Sequence, residues 1–188
     1  MTTVFLSGSI NIRHIKPSVK KRLQNIIDQQ FSIVVGDANG ADKAWQQCLM
    51  DMSYQAVTVF CSGGRCRNNL GQWPVHKIEV EAGVSGREFY TRKDREMATA
   101  ADYGFVLWDG KSPGSINNVM ELLKGNKKAL VYYAPDQIFH AVTDVQDART
   151  LLAKCDEVTL DTLGRKIKLK ASFNALEMSV QPSLSLGM

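Results

Sequence analysis

Short runs of apolar, largely β-branched residues recur along this chain, and most of them stop at or just before a glycine. Val4 to Ser7 stops at Gly8, Ser32 to Val35 at Gly36, and Gly104 to Trp108 runs into Asp109-Gly110. Val57 to Phe60 and Ala129 to Tyr133 have the same character. Continuous apolar runs of this length are the mark of strands buried on both faces. Between them lie stretches with helical spacing: Lys16 to Gln30, Ala41 to Met52, Thr91 to Ala101, Ser115 to Lys124 and Gln137 to Lys154. Strands that alternate with helices predict an α/β fold, a doubly wound parallel sheet of about five strands with helices on both faces.

Two segments fall outside this rhythm. Residues 61–90 hold several glycines and no sustained period, and loops of that length are usually lids or binding loops. The tail beyond Asp156 predicts a hairpin around Leu163 and Gly164 and a frayed end. The expected division is therefore a domain over residues 1–155, with an insertion at 61–90, and an extension over 156–188. With 188 residues, 44% of them hydrophobic, the chain can bury a sizeable core.

A formal net charge of only +4, with no run of five basic residues, gives non-specific nucleic-acid binding no strong compositional support. The N-terminal stretch lacks the basic and apolar regions of a signal peptide, and no segment reaches the length of a membrane span. The expected setting is the cytoplasm. The four cysteines and three histidines form no metal-ligand spacing. Cys61 and Cys66 invite a redox reading, but free cysteines that pack as small hydrophobes are the expectation.

Three glycine-bearing turns carry the functional signal: "SGSIN" after the first strand, "GDANGAD" after the second and "WDGKSPGSINN" after the fourth. In a sheet of order 3-2-1-4-5, taken from the fold type, these turns line one crevice at the carboxyl ends of the strands, where ligands bind in such folds. Glycine lets the backbone approach a ligand, and each following helix offers free N–H groups to an anion. Ser112 and Ser115 add hydroxyls, while Ser115 also suits a helix cap. No P-loop or GxGxxG fingerprint is present, so neither ATP hydrolysis nor hydride transfer is supported.

Taken together, "GSI", "VVGDANGADKAW", "KDREMATAADYGFVLWDGKSPGS" and "KKALVYY" resemble the SLOG superfamily over about two-thirds of the chain. That Rossmann-like group includes YspA-type proteins, the DprA core and LOG-type phosphoribohydrolases. The resemblance implies a site for a nucleotide or nucleotide-derived ligand, with no further cofactor, formed by Gly8, Ser9, Gly36, Asp37, Gly40, Asp109, Gly110, Gly114 and Ser115. It implies binding, as sensing or sequestration, or cleavage of an N-glycosidic bond. Pairing into a homodimer or higher homo-oligomer is a further expectation from related folds.

The chain departs from the cleaving branch at two points. Lys93 and Asp94 stand where LOG-type enzymes carry arginine and lysine before the methionine here numbered Met97. Asn118 stands where those enzymes place a glutamate, with Glu121 one turn beyond. Asp94 and Asp109 are the carboxylates left for a catalytic role, and Lys93 or Arg92 for a phosphate. On the long loop, Arg65, Arg67 and Trp73 are candidates to close over a ligand, or to meet a protein or single-stranded nucleic acid as some SLOG relatives do. Trp45 reads as core, and Asp42 as a partner for its own helix dipole.

Overall fold

A computed structural model describes residues 1–63, 66–79 and 86–180, without the side chains of 86–90 and 179–180. Its centre is a seven-stranded sheet made of β1 (Thr3–Gly8), β2 (Ser32–Gly36), β3 (Val57–Ser62), β4 (Val75–Ile78), β5 (Tyr103–Trp108), β6 (Lys128–Tyr133) and β7 (Ile138–Val142). The order is β4-β3-β2-β1-β5-β6-β7. The five strands read from the sequence are β1, β2, β3, β5 and β6, and they stand in the order expected of them. All pairs are parallel except β6 with β7. The fold is α/β and Rossmann-like.

Seven helices complete the described chain: α1 (Pro17–Asp28), α2 (Ala41–Asp51), α3 (Gly86–Ala100), α4 (Pro113–Lys124), α5 (Val145–Leu152), α6 (Glu157–Ile167) and α7 (Leu169–Val180). Side chains alternate across each strand and divide the core in two. Val4, Leu6, Ile33, Val35, Phe105 and Leu107 pack with α1 and α2. Phe5, Val34, Val106 and Trp108 pack with α3 and α4 and with the C-terminal helices. Leaving β1 the chain turns to one face, and leaving β5 it turns to the other. The switch point between these strands is where an open α/β sheet leaves a crevice.

Three expectations give way. Residues 138–142 form an antiparallel edge strand, with Tyr133 opposite Ile138, and the last domain helix starts only at Val145. Asp144 caps it by accepting from the Asp147 N–H at 2.9 Å. The expected hairpin around Leu163 and Gly164 is instead two helices. Asp156 caps α6 by accepting from the Thr159 N–H, Leu163 and Ile167 face the core, and Lys168 at φ 49° breaks the run before α7. The expected long loop contributes a sheet strand, β4, whose His76 pairs with Phe60 of β3.

Candidate functional site

The carboxyl ends of β2, β1 and β5 lie side by side, as the glycine turns require. The turns themselves behave differently from one another. A Cβ on Gly8 would stand 2.5 Å from the Leu107 carbonyl oxygen and 2.8 Å from the Ala41 Cβ, so this glycine lets β5 and α2 close in. A Cβ on Gly36 would meet the Asp42 carboxylate and, at 2.8 Å, the Lys93 ammonium. Gly40 (φ +77°) abuts the Ile10 backbone. Gly110 also turns with positive φ, at +78°. Gly114 alone among these meets nothing closer than the Ser112 Oγ at 3.9 Å.

Asp37 sits at the centre of a buried ion cluster and is itself 1% exposed. Its Oδ1 accepts from Lys93 Nζ at 2.9 Å and Arg67 Nη2 at 2.7 Å. Its Oδ2 accepts from the Arg67 backbone N–H at 3.1 Å and Nε at 3.2 Å. Burial alone would raise this carboxyl, but the Arg67 bonds and the Lys93 charge hold it well below the usual carboxylate range. Lys93, 2% exposed, also lies 3.9 Å from Asp42. Burial raises Asp42 despite Lys93 and the Ala38 N–H that it accepts at 3.2 Å. Lys93 therefore serves this cluster, with its ammonium turned to Asp37.

The described part of the insertion is pinned to this edge. Gln46 donates to the Gly36 and Asn68 carbonyls and accepts from the Leu70 N–H. Asn68 donates to the Asp37 carbonyl at 2.7 Å. Trp73, expected on a closing loop, is buried with its indole N–H donating to the Tyr54 carbonyl, so it anchors the segment in the core. Arg67 is likewise an anchor, and Arg65 lies outside the described residues. Cys61 and Cys66 are joined in a disulfide, which corrects the expectation of free thiols. Closing so short a loop is worth about 2 kcal/mol by the chain-entropy estimate. Urea unfolding with and without dithiothreitol is expected to differ by that amount, and a Cys61→Ser/Cys66→Ser double variant is expected not to respond to the reductant.

Asp109 ties two turns together. Its Oδ2 accepts from Ser9 Oγ and Asn11 Nδ2, each at 2.8 Å. Its Oδ1 accepts from the Lys111 and Ser112 N–H groups at 3.1 and 2.7 Å. Burial would raise it, yet these four bonds hold it low. Both oxygens are spent on bracing β1 to β5. Trp108 is buried as well, donating to the Ser112 carbonyl at 3.2 Å, and offers no ring face to the crevice.

Asp94 has the opposite character. Part of its surface stays open, while burial of the carboxyl, working against the Lys93 charge, pushes it up to about 7. With its amide oriented by its neighbours, Asn118 donates to Asp94 Oδ2 at 3.1 Å and to the Gly114 carbonyl at 3.2 Å. It accepts from Ser7 Oγ at 3.2 Å. Ser115, one turn before Asn118 on α4, is 1% exposed, and its Oγ has no hydrogen-bond partner among the described residues. Ser112 at the N-cap of α4 makes no side-chain capping bond, and Pro113 follows it. Ser7 is the polar member that no sequence pattern singles out, and Asn118, expected only as a departure from the LOG-type glutamate, links Gly114 to Asp94. Asn118 was visible as the one amide among the buried apolar positions of α4.

No family model matches the chain, and no match is found among curated proteins. Among the described residues, no helix is long and apolar enough to cross a membrane. The α/β class and the site stand on the chain's own residues.

Proposed function

We propose that this protein binds a nucleotide or nucleotide-derived small molecule at the β5–α4 turn, on the Asp94 side of the crevice. The buried, unpartnered Ser115 hydroxyl carries the reading. A hydroxyl without a partner costs stability, and its retention beside an uncapped helix start fits a missing anionic partner. Gly114 leaves the approach open. Asn118 links that turn to Asp94, so a phosphate at α4 would bring a ribose within reach of a carboxyl. The resemblance to the SLOG superfamily supports the same ligand class. The reading carries with it a cytoplasmic setting and no cofactor besides the ligand.

Calorimetry against mono-, di- and cyclic nucleotides, NAD and ADP-ribose tests it. Binding of at least one is expected, with Gly114→Val weakening it about tenfold or more, a loss of about 1.4 kcal/mol. A Cβ there meets only the Ser112 Oγ, at 3.9 Å, and melting like the parent is the expected check that the fold is kept. Folded protein that binds none of the panel overturns the proposal.

A second reading is favoured by Asp94 alone. A carboxyl half-protonated near neutral pH suits general acid catalysis, here protonation of a departing base in N-glycosidic cleavage. Chromatography for free base after incubation with nucleoside monophosphates and NAD decides it. Release that survives Asp94→Asn removes Asp94 from the chemistry.

A further inference from the structure

Between the β1–α1 loop and the start of α2 lies a cleft of about 600 Å³, lined by Ile10, Arg13, His14, Asn39, Gly40 and Lys43 among others. Its charge is one-sided. Arg13, His14 and Lys43 are exposed, and no Asp or Glu lines the cleft with them. Among the described residues they make no ion pair.

Three acids of this sheet edge could have neutralised the cleft, and each is turned elsewhere. Asp42 neighbours Lys43 in α2, yet its carboxylate points through the space left by Gly36 to the Ala38 N–H and Lys93. Asp37 is held by Arg67 and Lys93. Asp109 is held by Ser9 and Asn11. Acids face inward and cations outward at this edge, which leaves the cleft with one sign of charge and gathers positive potential in it. Ile10, 59% exposed at the rim, adds an apolar surface.

We infer that this cleft is an anion site for a phosphate chain, a pyrophosphate or the diphosphate of a nucleotide. Arginine offers a planar fork to phosphate oxygens, lysine a point charge, and the histidine ring a further donor. The inference deepens the nucleotide reading and rests on it for the nucleotide ligand, while the anion site stands on its own cavity.

The test titrates inorganic pyrophosphate into the full chain, followed by calorimetry and by amide resonances, with ADP and adenosine as parallel arms. Pyrophosphate is expected to shift residues 10–14 and 39–43. Arg13→Ala/Lys43→Ala, which removes two exposed side chains and should melt like the parent, is expected to weaken it about tenfold or more. Gly114→Val is expected to leave pyrophosphate binding unchanged. ADP is expected to lose affinity in the double variant, and adenosine to be indifferent to it. Absent binding, equal binding by parent and double variant, or shifts confined to residues 112–118 would overturn the cleft. If pyrophosphate binds here while no nucleoside-containing ligand reaches α4, the crevice reading falls and the cleft stands.

Discussion

Asp37→Ala is expected to lower the unfolding free energy by about 3–5 kcal/mol, because it strands a buried ammonium. For a chain of this size that is a fall of roughly 6–20 °C in melting midpoint. Among the described residues, Lys93 would keep Asp42, at 3.9 Å, as its ion-pair partner, with the Asp94 carboxyl as the other acid within reach of its charge. Arg67 can turn to water, since 39% of its side chain is already exposed, so Arg67→Ala is expected to cost much less. Asp37→Ala/Lys93→Met removes both buried charges and is expected to recover part of the loss, since an apolar replacement of a buried pair can be close to neutral. Urea unfolding of Asp37→Ala, Lys93→Met, their double variant and the parent reads the coupling directly. A double variant as unstable as the sum of its parts would show that Asp37 and Lys93 act independently, against the geometry.

That cluster also marks the limit of what the residues reveal in order. The sheet's centre is legible because β1, β2, β3, β5 and β6 are buried on both faces and leave continuous apolar runs. The edges are not. Ile138 to Val142 joins Ala148, Leu151 and Leu152 in one apolar spacing, so strand and helix merge. The Asp144-x-x-Asp147 cap between them is the signal that separates them. Ile167-Lys168-Leu169-Lys170 alternates like a strand, yet Leu160, Leu163 and Ile167 share a helical stripe. Gly164 misleads as a turn residue, for nothing lies within 4 Å of its would-be Cβ.

The site divides in the same way. Glycine turns announce an edge, but not what each glycine makes room for. Gly8 and Gly36 admit other parts of the protein, and only Gly114 opens outward. Asp37 lies 30 residues from Arg67 and 56 from Lys93. No local pattern encodes a pairing of that range, and it reassigns two expected ligand contacts to the protein's own framework. The disulfide is as illegible: cysteines five apart fit a clasp or two packed thiols, and the spacing alone does not choose between them.

Asp94 is where stability and function should part. Its carboxyl stands near pH 7 when folded and near 3.9 when unfolded, so the native state holds the proton more tightly. Stability is then full below the unfolded value and declines as pH rises through about 7, the slope being set by the extra proton of the native state. Asp37 works in the other direction, losing its contribution only as pH falls through its depressed value. Asp94→Asn keeps an amide for Asn118 and removes the titration. Its stability advantage over the parent is therefore expected to be larger at pH 8 than at pH 5, growing by about 1–3 kcal/mol between them, discounted for the open part of the side chain. Asp42, raised by burial as well, adds a slope of the same sign. The same variant is expected to lose nucleotide affinity, because a carboxylate that accepts ribose hydroxyls becomes an amide. A substitution that stabilises the fold while weakening the ligand is the signature of a residue kept for its site. Urea midpoints at pH 5 and pH 8, beside calorimetry on the same protein, separate the outcomes. An equal stability difference at both pH values would mean that Asp94 does not titrate in this range, and unchanged affinity would move the ligand away from α3.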